Sequence, residues 1–220
     1  MTVLTKLANV FHHVAKMFMK KTGTWKQVRG VYVKKSGVWK QTYGRPAMAI
    51  FALGLEQTLQ PAANKGVWIN GVHAFSTGRS WGLVTFDKYG NMTAGSSYDL
   101  FGEAQDPPTA TGQLDGLTNA LNAMPTGQLF ALITFDEPMA LHTSGSLPAA
   151  VYRVGGTAAL FAGSGFNYRG AYMLLGKVGS APYTEQYNGV SYTAPDGTVG
   201  DPNAAIAVPC TIFENNWYGS

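Results

Sequence analysis

A mainly β, α+β fold is what the sequence predicts, and three observations carry that prediction. Glycine (27) and proline (11) punctuate a chain with only 13% charged and 12% aromatic residues, a composition of strands joined by many turns. Apolar residues run unbroken over 129–135 and 171–176, as in strands buried on both faces. Helical spacing is confined to short stretches at 3–18, 113–123 and 149–155.

Taken in order, residues 3–18 place Val3, Leu7, Val10, Val14 and Met17 at alternating four- and three-residue steps. Leu4, Phe11 and Phe18 widen the stripe, while Lys6, His13, Lys16 and Lys20 lie off it. This predicts an amphipathic helix near a heptad seam, ended by Gly23. One so short is marginal alone in water, so it is expected to dock on its own domain, a further copy or a neighbouring subunit.

A short repeat follows. Lys21-Thr22-Gly23-Thr24-Trp25-Lys26-Gln27 returns fourteen residues later as Lys35-Ser36-Gly37-Val38-Trp39-Lys40-Gln41, with an alternating stretch, Val28–Lys34, between them. The pattern predicts strands joined by glycine turns, with Trp25 and Trp39 equivalent on one face.

Residues 46–65 read as a connector, apolar and then polar. Strands are expected at 66–72 and 83–86, a turn at 87–91 and a loop opening at Asp106-Pro107-Pro108. Leu114, Leu117 and Leu121 predict a helix over 113–123, stopped by Met124-Pro125-Thr126-Gly127. The apolar run 129–135 ends in Asp136-Glu137, a helix is expected over 149–155 and a strand over 171–176. The Tyr-, Gly-, Pro- and Asn-rich tail, 180–220, reads as extended strands and loops.

Charge divides the chain. Residues 1–45 carry eight Lys, two Arg and no Asp or Glu, whereas the remainder carries six basic and twelve acidic residues. This layout fits a basic attachment segment joined to a globular body. The single Cys210 excludes an internal disulfide and a Cys-rich zinc site. No secretory leader is legible, and the longest apolar stretch, 47–55, is too short to span a bilayer.

Two resemblances sharpen the expectation. The Gly-x-Trp-Lys repeat resembles hairpin repeats of bacteriophage tail proteins, which implies a small connecting or attachment element. Residues 66–179 resemble the lectin-like domain named for the interleukin-like EMT inducer. The pieces that carry this resemblance are Gly78-Arg79-Ser80-Trp81-Gly82, Phe86-Asp87-Lys88-Tyr89-Gly90 and Tyr98-Asp99-Leu100-Phe101-Gly102. They continue with Leu132-Ile133-Thr134-Phe135-Asp136-Glu137, then Arg169 and Leu174-Leu175-Gly176-Lys177-Val178-Gly179. Ser80 stands where the family has Gly, Pro138 falls where a helix normally continues, and 161–168 looks longer.

The resemblance implies an antiparallel β-sandwich with two flanking helices and no catalysis. It also implies a glycan site in which Asp136 and Arg169 hydrogen-bond hydroxyls. An aromatic face, Trp81 or Tyr168, would cover the apolar side of a pyranose. The alternative is that Asp136 and Arg169 form a structural pair tying two loops together.

Other chemistry is weaker. Gly78-Arg79-Ser80-Trp81-Gly82 spells a nucleophile elbow, but a strand rather than a helix is expected after Ser80, and His142 lies too close to Asp136 for separate triad arms. His12 and His13 are adjacent and fall on different faces, and His73 and His142 lack partners at metal-ligand spacing. No metal, cofactor or enzymatic activity is expected.

The expected organisation is therefore an attachment segment (1–45), a connector (46–65), a lectin-like sandwich (66–179) and an extended tail (180–220). Val3, Leu7, Val10, Val14, Met17, Trp25 and Trp39 would carry attachment or oligomerisation. The expected product is a virion tail protein assembled in the host cytoplasm, with other tail proteins, further copies (as a trimer) and possible host glycans as partners. A connector or collar subunit without ligand is the first alternative. The second is nucleic-acid binding through the basic leader, which is not expected because no known recognition module is visible.

Overall fold

The computed structural model describes residues 4–7, 10–13, 18–27, 30–35, 38–44, 46–54, 64–105, 111–163, 166–189, 204–213 and 215–219. It divides into two compact units, Met1–Pro46 and Ala47–Ser220.

Among its described residues the first unit holds three antiparallel hairpins. They are β1 (Leu4–Leu7) with β2 (Val10–His13), β3 (Phe18–Lys21) with β4 (Thr24–Gln27), and β5 (Gly30–Lys35) with β6 (Val38–Gly44). The helix expected over 3–18 is thus corrected to a hairpin over its described part. The physical reason lies in the register. Leu7 and Val10, three apart in sequence, are cross-strand partners on either side of a two-residue connection, which imitates a helical step. Val10 and Phe11 also favour extended backbone. Val3, Val14 and Met17 lie outside the described residues. The first glycine turn fares better: Thr22 and Gly23 both have positive φ, 48° and 81°, as a two-residue hairpin turn of the primed type requires, while Ser36 and Gly37 lie outside the described residues.

The second unit is mainly β, built among its described residues on a 10-stranded mixed sheet with four short helices. One half of the sheet runs β11 (Met92–Tyr98), β10 (Ser80–Phe86), β12 (Leu129–Phe135), β13 (Ala171–Lys177) and β14 (Thr184–Asn188), all antiparallel. The other runs β9 (Val72–Phe75), β8 (Gly66–Ile69), β7 (Met48–Leu53), β15 (Ala205–Phe213) and β16 (Asn216–Gly219), also antiparallel. A single parallel pair, Phe135 with Leu53, joins the halves. The strand β7 thus lies within the segment expected as a connector, and the tail supplies three strands of the same sheet.

The central strand β12 is buried along its whole length, as its apolar run predicts. Leu129, Ala131 and Ile133 enter a core shared with Ile50, Val67, Met173, Val208, Ile212 and Trp217, residues drawn from both halves. Phe130 and Leu132 enter a second core with Trp81, Leu117, Leu121, Val151, Phe161 and Tyr172. The helices cover that second core. They are α1 (Leu100–Gln105), α2 (Gln113–Ala123), α3 (Leu147–Arg153) and α4 (Ala158–Phe161), so four short helices stand where two were expected. The helix α2 has the predicted bounds, with Leu117 and Leu121 fully buried. Among the described residues no helix is long and apolar enough to cross a membrane.

Candidate functional site

Three chain turns converge at the end of the helical-side core: the entry to β10, the exit of β12 and the entry to β13. Each turn bends through a non-glycine residue with left-handed backbone, Ser80 (φ 69°), Asp136 (φ 64°) and Arg169 (φ 57°). L-residues adopt this region at a cost, so three together mark a place where the fold holds side chains against local preference. The Asp136 backbone N–H donates to the Leu53 carbonyl at 3.0 Å, beside the pair that joins the two half-sheets.

Asp136 and Arg169, expected to act together, are brought together. Arg169 Nε lies 3.5 Å from Asp136 Oδ1, with side chains 28% and 18% exposed. The contact is an ion pair without a hydrogen bond: both atoms are buried and neither has a hydrogen-bond partner. Burial is the main influence on Asp136, and it pushes the carboxyl above the usual aspartate range, against the opposing pull of Arg169 and Arg79.

Trp81 does not stand beside them as a platform. It is fully buried, stacks with Phe166 at 6.3 Å and donates from Nε1 to the Pro138 carbonyl at 3.2 Å. Its position corrects the expected role. In β10 the alternation of faces sends Trp81 into the helical-side core, where a large apolar ring is most stabilising. Tyr168 remains at the site, half-buried, with the Arg169 guanidinium 5.0 Å from its ring centre.

A second Arg–Asp pair adjoins the first, and sequence reasoning did not assign it. Arg79 Nε donates to both Asp99 oxygens, at 2.8 and 3.0 Å, and Nη2 donates to Oδ2 at 2.5 Å. Arg79 also stacks on Phe101 at 4.9 Å, and Phe101 meets Tyr168 at 6.4 Å. Burial pushes the Asp99 carboxyl up, but hydrogen bonds from Arg79 and the Gly102 N–H outweigh it and hold the group below its ordinary value. Gly102 permits this, since a Cβ there would meet Asp99 Oδ2 at 2.6 Å and Arg79 Nη2 at 3.0 Å. Lys65 completes the rim with its ammonium 3.6 Å from the Phe135 ring centre.

The loop after Asp136 is fixed from within. Both Glu137 oxygens accept backbone N–H groups, from Met139 and Ala140 at 3.0 Å each, in place of the helix that Pro138 prevents. Beneath it, His142 stacks on Phe166 at 4.4 Å, and burial lowers its pKa. Ser80, the central residue of the elbow-like motif, is buried and leads directly into a strand. Its Oγ accepts the Phe101 N–H at 3.0 Å.

The arrangement is balanced in charge. Arg79, Arg169 and Lys65 face Asp99, Asp136 and Glu137, with Tyr168 and Phe101 as partly exposed ring surface. Such a site suits a neutral polyhydroxylated ligand better than a strongly charged one. Among the described residues no group of three or more His, Cys, Asp or Glu is placed to hold a metal ion. No protein-family model matches the chain, and no curated protein sequence matches it.

Proposed function

We propose that this chain is a structural protein of a bacteriophage tail, anchored through residues 1–45, whose body binds host surface glycans reversibly at the Asp136–Arg169 site. In this reading the two half-sheets are the layers of a lectin-like β-sandwich, and the assembly is trimeric. The observation that carries it is the unmatched pair at the site. Asp136 Oδ1 lacks a donor and Arg169 Nε lacks an acceptor, 3.5 Å apart on strained backbone. A hydroxyl group entering between the two side chains as their contact opens would supply both missing partners at once, accepting from Arg169 and donating to Asp136.

The competing reading is a connector or collar subunit without ligand, in which the pair only ties two loops together. The burial of Trp81 favours it, because it removes one of the two expected ring platforms. A panel of neutral mono- and disaccharides, monitored by chemical-shift change in the full chain, separates the readings. Shifts on Tyr168 and Arg169 that vanish in Asp136→Asn and Arg169→Ala support glycan binding. A panel that leaves every resonance in place supports the connector.

A further inference from the structure

The three N-terminal hairpins share one register. Their closing pairs, Leu7 with Val10, Lys21 with Thr24 and Lys35 with Val38, recur every fourteen residues. One step further from the turn, a lysine is always the cross-strand register partner of an aromatic residue: Lys6 with Phe11, Lys20 with Trp25 and Lys34 with Trp39. Two steps beyond, and therefore on the same ribbon face, Leu4, Phe18 and Tyr32 face His13, Gln27 and Gln41. The repeat thus has three copies, 4–17, 18–31 and 32–45. The first is divergent, with Asn9 at the position of the two turn glycines and Phe11 at that of the tryptophans.

We propose that this triple hairpin is a binding array for single-stranded nucleic acid, one lysine–aromatic pair per copy. In the second and third copies two aromatics and a lysine fall at register positions of one ribbon face, a combination suited to stacking bases and pairing phosphates without reading sequence. The segment has ten cations and no carboxylate, so nothing in it repels a phosphate chain. The same charge disfavours packing against an identical segment of a second copy, since ten positive charges would meet ten more. This proposal is independent of the glycan reading and revises the expectation that nucleic acid plays no part.

The test uses the full chain and a fluorescent oligo-dT, titrated at several salt concentrations. Binding should weaken steeply with salt. Removal of residues 18–31 deletes one period, with Lys20, Lys21, Lys26 and Arg29, while keeping the register of the other copies. It should flatten the log–log salt slope by at most about 3. Trp25→Ala together with Trp39→Ala should weaken binding roughly fivefold or more and abolish any quenching of their fluorescence. Inorganic polyphosphate should bind more weakly than oligo-dT. The proposal is overturned if oligo-dT fails to bind at low salt, if the deletion leaves the slope unchanged, or if polyphosphate binds equally. Salt-sensitive self-association without oligo-dT binding would overturn it too, in favour of a protein partner.

Discussion

Asp136 sits where burial and backbone strain act on one carboxylate, and that combination sets its pH response. Its pKa lies above the ordinary aspartate value, as does that of Glu137, in both cases mainly through burial. A raised carboxyl makes the folded state the tighter proton binder. The stability these two groups contribute is therefore fully present below the ordinary carboxylate pKa and is lost as pH rises through the raised values. Sugar binding should move the opposite way, because the ionised carboxylate is the stronger acceptor for a hydroxyl. We expect the sugar-induced shifts to weaken on acidification with a midpoint above that of an ordinary aspartate, measured by titrating the sugar response. A midpoint in the ordinary range would show that Asp136 is not the acceptor. Trp81 illustrates the contrasting case of a residue whose worth lies in packing. Trp81→Ala should destabilise the body by about 3–5 kcal/mol in urea unfolding, since it empties a core site lined by Phe161, Phe166 and Tyr172.

Elements with a single unambiguous period were legible before any coordinates. The strand β12 and the helix α2 have the bounds their apolar spacing predicts, because each run is long enough to exclude the other period. The N-terminal hairpin was not legible as such. A fourteen-residue repeat contains two heptads, so cross-strand partners around a short connection fall on a helical stripe. The strand β7 was hidden for another reason. Its residues are apolar on both sides, including Ala49 and Phe51 on the half-buried face, which leaves no polar alternation to read. At the site, Asp136 and Arg169 were legible only through their neighbours in ordered motifs. The pairing of Arg79 with Asp99 depends on the β10–β11 register, which no local pattern encodes. The strand β15 offers a direct check on element stability. Cys210 lies fully buried within it, and burial pushes its thiol up to about 12. A thiol reagent at neutral pH should therefore label Cys210 only at the rate of opening of this strand, so labelling should track urea concentration. Rapid labelling of the native chain would place β15 outside the folded body.

The whole body depends on long-range closure. Leu53, near its start, pairs with both Phe135 and Ala205, so the two half-sheets and the C-terminal strands meet at one residue. The shared core draws on β7, β12, β13 and β15 together, which makes the body a single cooperative structure. A chain ending at residue 189 would lack Ile206, Val208, Ile212 and Trp217 and would leave an edge of β7 bare. We expect that truncation to lose its cooperative unfolding transition and to associate through the exposed strand, as calorimetry and light scattering would detect. Removing residues 1–45 instead should leave the melting temperature of the body nearly unchanged, because the two units are separately compact.

The Leu53–Ala205 pairing also has a consequence for biosynthesis. The first strand of the body leaves the ribosome long before β15 has been made, and the edge that β15 covers stays open until residues 205–213 emerge. Closure of the fold thus waits for residues 205–213, and a chain cut short before them should yield aggregation-prone fragments rather than a smaller working domain.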